Sequence, residues 1–306
     1  MRPLLTNLLR AGVRAGLLLF LTHTAANAEE SAIAEPAQAA VTPAIINSTG
    51  AGEDHPPTIA IIIDDMGNYQ NMGERAIRIP APLTLSFLPF RPHTNSQARL
   101  AYAAGKEIML HIPMENVKRI PLGASGLTSD MSSQNMVATF RQAIKAIPYV
   151  SGVNNHMGSA LTQNRAAMNL VMGELQGYPL YFVDSRTTAS SVAHAVAANH
   201  AIPTLNRDVF LDHVITTKAI DFQFKRLLDI ARKKGTAIAI GHPHRETIEY
   251  LEKVLPSLGE QGVAIATIKG LWAIRNNAQD MFQTTPPTIL AERRKGNDDE
   301  PKKSVN

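Results

Sequence analysis

The chain has 306 residues, with 30 Lys and Arg against 26 Asp and Glu, for a formal charge of +4. Several of the positive charges lie close to the two ends, so the balance gives no argument for a nucleic-acid partner. There is no cysteine, which excludes disulfides and thiolate metal ligands and leaves His, Asp, Glu and water to hold any metal.

Residues 1–28 combine Arg2, Arg10 and Arg14, an apolar run over residues 15–21, and the small-residue exit Ala26-Asn27-Ala28. This is the pattern of a secretory signal peptide cleaved after Ala28. The apolar run is about half of the ~20 residues that a bilayer span needs, and no later segment is long and apolar enough, so no span is expected after cleavage. The protein is therefore expected to be exported, to the periplasm in a cell with two membranes. Residues 29–57 are rich in Ala, Pro and Thr without apolar periodicity, and residues 277–306 include Arg293, Arg294, Lys295, Asp298 and Asp299. Both read as disordered, a linker and a tail. Residues 58–276 have the length of one α/β barrel domain.

Within that region short apolar, β-branched runs recur at residues 59–63, 83–87, 108–110, 149–153, 180–183, 237–240 and 263–268. Runs of this kind predict strands buried on both faces of a parallel sheet. Helix-length segments separate them, at residues 95–104, 133–147, 164–175 and 190–199. The clearest helix covers residues 217–234, where Ile220, Phe224, Leu227, Leu228 and Ala231 share one face and Gly235 supplies the stop. Seven strand–helix repeats predict an α/β fold, a single-domain distorted seven-stranded (β/α) barrel.

In such barrels the reacting groups leave the C-terminal ends of different strands. Residues 59–63 run into Asp64-Asp65, where one carboxylate can bind a metal while the other takes a proton, the two leaving the strand on opposite sides. Residues 108–110 run into His111, a candidate ligand, with Glu115 four residues on as a second carboxylate or as an acceptor that orients His111. Residues 149–153 run into Asn154-Asn155-His156-Met157-Gly158-Ser159, in which His156 is a third ligand, Asn155 a hydrogen-bond donor to an oxyanion, and Ser159 a polar substrate contact. Residues 180–183 run into Asp184-Ser185-Arg186, an ion pair or a hold on a polar substrate that Asp208 can join. Residues 237–240 run through Gly241 into His242-Pro243-His244, where one imidazole suits a general acid and the other a substrate contact. His55, His93, His194, His200 and His213 end no strand and read as linker, helix or surface residues, and Trp272 reads as core more readily than as a sugar-stacking wall.

Taken together, Ile-Ile-Ile-Asp64-Asp65-Met-Gly, Leu-His111-Ile-Pro-Met-Glu115, Gly-Val-Asn-Asn155-His156-Met-Gly-Ser159, Phe-Val-Asp184-Ser-Arg186 and Gly-His242-Pro-His244 resemble the divergent polysaccharide deacetylase family over nearly all of residues 58–274. That family is similar to the carbohydrate esterases that remove N-acetyl groups from chitin-like and peptidoglycan sugars. The resemblance implies a divalent metal, Zn²⁺ first among candidates, with Asp64 as base, Asp65, His111 and His156 as ligands, and His242 as acid. The usual esterases carry His-x-x-x-His where this chain has His111 and Glu115, and no Arg-x-Pro-x-Gly segment is evident here.

The expected activity is hydrolysis of a carbohydrate-linked acyl group on a cell-envelope glycan, a peptidoglycan-like substrate, with residues 116–131 as a candidate lid over the mouth. Two alternatives stand beside it. One is a non-catalytic, metal-holding module that uses its flexible ends to reach cell-envelope protein partners. The other is a binuclear metallophosphoesterase, since Asn-His and Gly-His-x-His occur there too, although the first strand here lacks Asp-x-His.

Overall fold

The structure, a computed structural model, describes residues 55–276. The expected signal peptide, nearly all of the linker and the tail lie outside the described residues. The first strand, β1 (Thr58–Met66), holds five successive apolar residues, Ile59 to Ile63, that have no wet face to offer and are fully buried. It is followed by α1 (Gln70–Arg78), β2 (Thr84–Phe87), α2 (Thr94–Ala103), β3 (Glu107–Met114), α3 (Ser133–Ala146), β4 (Val150–Met157), α4 (Arg165–Leu175), β5 (Tyr181–Asp184) and α5 (Ala193–Asn199). Then come β6 (Thr204–Asn206), β7 (Val209–Phe210), α6 (Thr217–Lys234), β8 (Thr236–Gly241), α7 (Arg245–Val254), β9 (Ala264–Ala266) and α8 (Ile268–Arg275).

The strands pair in the order β6-β5-β4-β3-β2-β1-β8-β7, all parallel, with β9 beside Thr58–Ala60 of β1. The sheet curls into a distorted barrel with the helices outside. Each of the seven expected strands is present. Two more, β6 and β7, are three and two residues long, too short to leave a period in the sequence. These two end the hydrogen-bonded path and do not pair with each other, so the barrel has a seam where a closed wall was expected. Arg207 and Asp208 cross it: the Arg207 amide donates to Asp184 O (3.1 Å) and the Asp208 amide to Ile238 O (2.9 Å), strapping β5 to β8.

The helices follow their predicted faces. In α6 the residues Ile220, Phe224, Leu227, Leu228 and Ala231 are buried, Thr216 caps the start by accepting from the Ala219 amide, and Gly235 ends it at φ 83°. The last expected strand is shorter than predicted because Thr267 caps α8 instead, accepting from the Gly270 amide. Helix α8 closes the barrel floor: the Ile268 amide donates to Thr84 Oγ1 at the start of β2, and Ile268 and Leu271 enter the interior. Trp272 packs partly buried against that interior cluster, at the end of the barrel remote from the strands' C-termini.

Strand alternation separates two apolar layers. Ile59, Ile61, Ile63, Phe182, Ala237 and Ala239 pack toward the helices, while Ala60, Ile62, Met109, Tyr181, Val183, Leu205, Ile238 and Ile240 fill the barrel. Gly152 makes room for the largest of the latter, since a Cβ there would lie 2.2 Å from the Tyr181 ring. Among the described residues no helix is long and apolar enough to cross a membrane. Gly152→Ala is expected to cost about 1–3 kcal/mol by overpacking this interior. Urea denaturation of the two proteins checks it, and an unchanged midpoint would contradict the packing described.

Candidate active site

The alternation that fills the barrel with apolar side chains continues upward and delivers polar ones. After Ala60 and Ile62 the interior position of β1 is Asp64; after Met109 it is His111; beside Gly152 in β4 come Asn154 and His156; after Val183 comes Ser185; after Leu205, Arg207; and after Ile240, His242. The strands do not stop before these residues, as the sequence reading supposed. β1, β3 and β4 run through them, to Met66, Met114 and Met157, because the polar side chains pair with one another and leave the ladder intact.

Alternation alone would put Asp65 on the outer face, opposite Asp64. The structure corrects this expectation. Asp65 has φ 57°, and the β1–β2 register shifts between Ile63 and Met66, so the bulge swings both carboxylates inward. Asp64 Oδ2 lies 3.6 Å and Asp65 Oδ1 3.3 Å from His111 Nε2. Gly67, at φ 96°, then lets the chain turn against Thr94, where a Cβ would lie 2.3 Å from Oγ1.

A buried amide ties these groups together. Asn154, fully buried, donates from Nδ2 to Asp64 Oδ1 (2.8 Å), while its Oδ1 accepts from Ser86 Oγ (2.7 Å) and from His111 Nδ1 (2.7 Å). Since a carbonyl oxygen only accepts, the proton of neutral His111 is on Nδ1, and Nε2 turns its lone pair to Asp65 and His156. Asn155, the amide singled out from sequence, faces the other way: its Nδ2 donates to Met157 O and its Oδ1 accepts from the Ser185 amide. Both bonds are to backbone groups, one in this strand and one just past the neighbouring β5, so its carbonyl and one of its two N–H donors are engaged there.

Three ligand atoms converge, one each from Asp65, His111 and His156. His156 Nδ1 is 2.8 Å from Asp65 Oδ1 and 3.2 Å from His111 Nε2, which itself is 3.3 Å from Asp65 Oδ1. Ligands bound at ~2.0–2.1 Å around a tetrahedral Zn²⁺ sit about 3.3 Å from one another, so this donor set fits such an ion with modest widening. Asp65 Oδ1 is buried and lies against the two imidazole nitrogens, the arrangement that a shared cation would satisfy. Burial works to raise the Asp65 carboxyl, but the two imidazoles outweigh it and hold it well below the usual carboxylate range. Burial likewise opposes the charge of His111, and Asp64 and Asp65 outweigh it to raise its pKa.

Across the mouth stands His242. Its Nδ1 is 2.9 Å from Asp212 Oδ1, and its amide donates to Asp212 Oδ2 (2.6 Å), which also accepts from Thr247 Oγ1 (2.8 Å). Burial disfavours the imidazolium, but Asp212, with Asp64 and Asp65 behind it, overcomes this and pushes His242 up to about 9. Nδ1–H thus points at Asp212 and Nε2 is left as the working atom. His244 completes a second cluster with Asp212 and His242, but the Asp212 carboxylate already accepts three hydrogen bonds. His244 is the N-cap residue of α7 and makes no side-chain cap bond there.

The remaining predicted residues serve the loops. Glu115 does not orient His111; its carboxylate accepts from the Ser129 amide (2.8 Å) and lines a cavity of about 350 Å³ with Asn116, Arg119 and Leu122. Ser159 Oγ accepts from the Val117 amide. Segment 116–131, expected as a lid, is stitched at its base, where the Glu115 amide donates to Leu127 O and the Leu127 amide to Pro113 O. Asp184, fully buried, accepts from the Arg186 amide and from Ser191 Oγ, and its ion pair with Arg186 is long, at 4.0 Å. Asp208 pairs elsewhere, with the Ile238 amide and Arg275.

Sequence reasoning passed over Ser86, Asn154, Arg207 and Asp212. Ser86 and Asn154 had a usable signal, the period of two that puts them on the face of His111 and His156. Asp212 follows a two-residue strand and carried none.

A model of the divergent polysaccharide deacetylase family matches residues 61–272. The uncharacterized protein YibQ of Escherichia coli K12 is 36% identical over 200 residues, 65% of this chain and 63% of that one, so the match spans less than two thirds of that relative. An uncharacterized protein of Haemophilus influenzae is 33% identical over 214 residues, 70% of this chain and 76% of that one. The crystal structure of an uncharacterized protein from Agrobacterium tumefaciens C58 superposes with a TM-score of 0.69 at 25% identity, covering 73% of this chain and 92% of that chain. With the family's model covering the barrel from its first strand to its last helix, this chain belongs to the divergent polysaccharide deacetylase family.

Proposed function

We propose that this chain is an exported, metal-dependent hydrolase that removes an acyl group from a cell-envelope glycan in the periplasm. The observation that carries the reading is the convergence of Asp65, His111 and His156, with one free carboxylate, Asp64, and one proton-charged imidazole, His242, beside it. A divalent cation held by those three, Zn²⁺ in this reading, would supply Lewis acidity toward a carbonyl oxygen and an attacking water.

The chain's own groups divide the proton work. Asp64 is fixed at Oδ1 by Asn154 and keeps Oδ2 to accept a proton from water as its oxygen attacks the acyl carbon. His242, oriented by Asp212 at Nδ1, gives its Nε2 proton to the nitrogen or oxygen of the sugar as the acyl bond breaks. The carboxylate of Asp212 stabilises the imidazolium before transfer. Two-metal phosphoester chemistry would need Asp212 as a ligand, and its three hydrogen bonds already satisfy it, which favours a proton-donating pair over a second metal site.

Asp64→Asn is expected to lower acetate release from acetylated glycans by about 10²–10⁴-fold while zinc content per chain stays unchanged. Release at the wild-type rate would overturn the enzymatic reading and favour a non-catalytic module. The rate should also fall as pH rises through the pKa of His242, since the protonated imidazole is the donor. Removing the Asp212 charge lowers that pKa, so Asp212→Asn should move the alkaline limb of kcat/KM to lower pH by about one unit or more. A limb that stays in place would exclude His242 as the acid.

A further inference from the structure

Just past the ends of β5 and β6 stand Ser185 and Arg207, neither of them among the three converging ligand residues. Ser185 follows Tyr181 and Val183 on the interior face, is 3% exposed, and its Oγ is buried without a hydrogen bond. Buried polar atoms in that state are few in folded proteins, and one just past the C-terminal end of a barrel strand is a candidate ligand contact.

Arg207 is half-buried and held from two sides. Nε donates to Ser185 O (2.7 Å) and Nη2 to Arg186 O (2.8 Å), and the guanidinium lies over the Phe210 ring, 5.1 Å from its centroid. Of the five N–H donors two are spent, both on one edge. The other edge, Nη1 with the second Nη2 hydrogen, presents two parallel N–H groups, the arrangement that grips a carboxylate in bidentate fashion. Phe210 in turn packs on His242, ring centroids 5.3 Å apart, so this edge sits one aromatic ring from the proton donor.

We propose that Ser185 and Arg207 form an anchoring subsite for a carboxylate on the glycan, making the substrate an acidic, uronate-type or carboxyalkyl sugar polymer. This rests on the hydrolase reading for its biological meaning, yet it is a binding claim and is tested without turnover. The backbone tether and the ring beneath fix the guanidinium in advance, so little side-chain freedom is lost on binding.

The test is calorimetric titration of the zinc-loaded protein with two probes, a tetrasaccharide of alternating N-acetylglucosamine and glucuronate, and neutral chitotetraose. The acidic probe should bind about tenfold or more tightly. Arg207→Gln should bring the two probes within about threefold of each other, and Ser185→Ala should weaken the acidic probe alone. Equal affinity of the wild-type protein for both probes would overturn the proposal, as would a preference that survives Arg207→Gln and so belongs to the rim charges. If Arg207→Gln fails to fold, Ser185→Ala decides, and acidic-probe affinity unchanged in it overturns the subsite. A wild-type protein that shows no preference but releases acetate refutes the subsite and spares the hydrolase; a preference without any acyl release does the reverse.

Discussion

The candidate site depends on one buried amide. Asn154 has a donor and an acceptor to place, and it places them on Asp64, His111 and Ser86, all within a wall of four adjacent strands. Without it three buried polar groups would be left unpaired, each at a cost of about 1–3 kcal/mol. With it, the His111 proton is fixed on Nδ1, Nε2 faces Asp65 and His156, and Asp64 keeps a single free oxygen. One side chain therefore separates the two aspartates into different tasks.

That arrangement needs the barrel beneath it. The interior is apolar at Ile62, Met109, Val183 and Ile240, with Glu107 held at the floor by Thr84 Oγ1 and the Lys269 amide, and it turns polar again one step above, so the site rests on a packed layer. The bulge at Asp65 is the exception to alternation that the chemistry requires, since a regular strand would send its carboxylate among the helices. The seam between β6 and β7 has the same character: by leaving these short strands unpaired with each other, the fold brings Arg207 and Phe210 inward beside His242.

Much of this was legible in the sequence. The apolar runs marked seven strands because residues such as Ile59 to Ile63 have no alternative to burial on both faces, and the helix of residues 217–234 announced its cap, face and stop. The polar groups after those runs located the mouth. What was not legible depended on pairing across long separations: whether Asn154 or Asn155 faces inward is set by the register of β4, and Asp212 reaches His242 only because β7 lies against β8. The twin carboxylates were placed on opposite sides because nothing local distinguishes a regular strand from one with a positive φ at Asp65. Glu115, Ser159, Asp184 and Arg186 stand next to the site in sequence, whereas the partners they have here lie in neighbouring loops, mostly backbone groups, with Ser191 Oγ on Asp184.

The central claim is that two imidazoles and one carboxylate, brought together from β1, β3 and β4, hold a single ion. X-ray absorption spectroscopy of the zinc-loaded protein reads that shell directly. The account predicts one zinc per chain with two imidazole nitrogens and carboxylate oxygen at ~2.0–2.1 Å, and loss of the imidazole scattering in His111→Ala. A shell of oxygen alone, or a spectrum indifferent to that substitution, would contradict it.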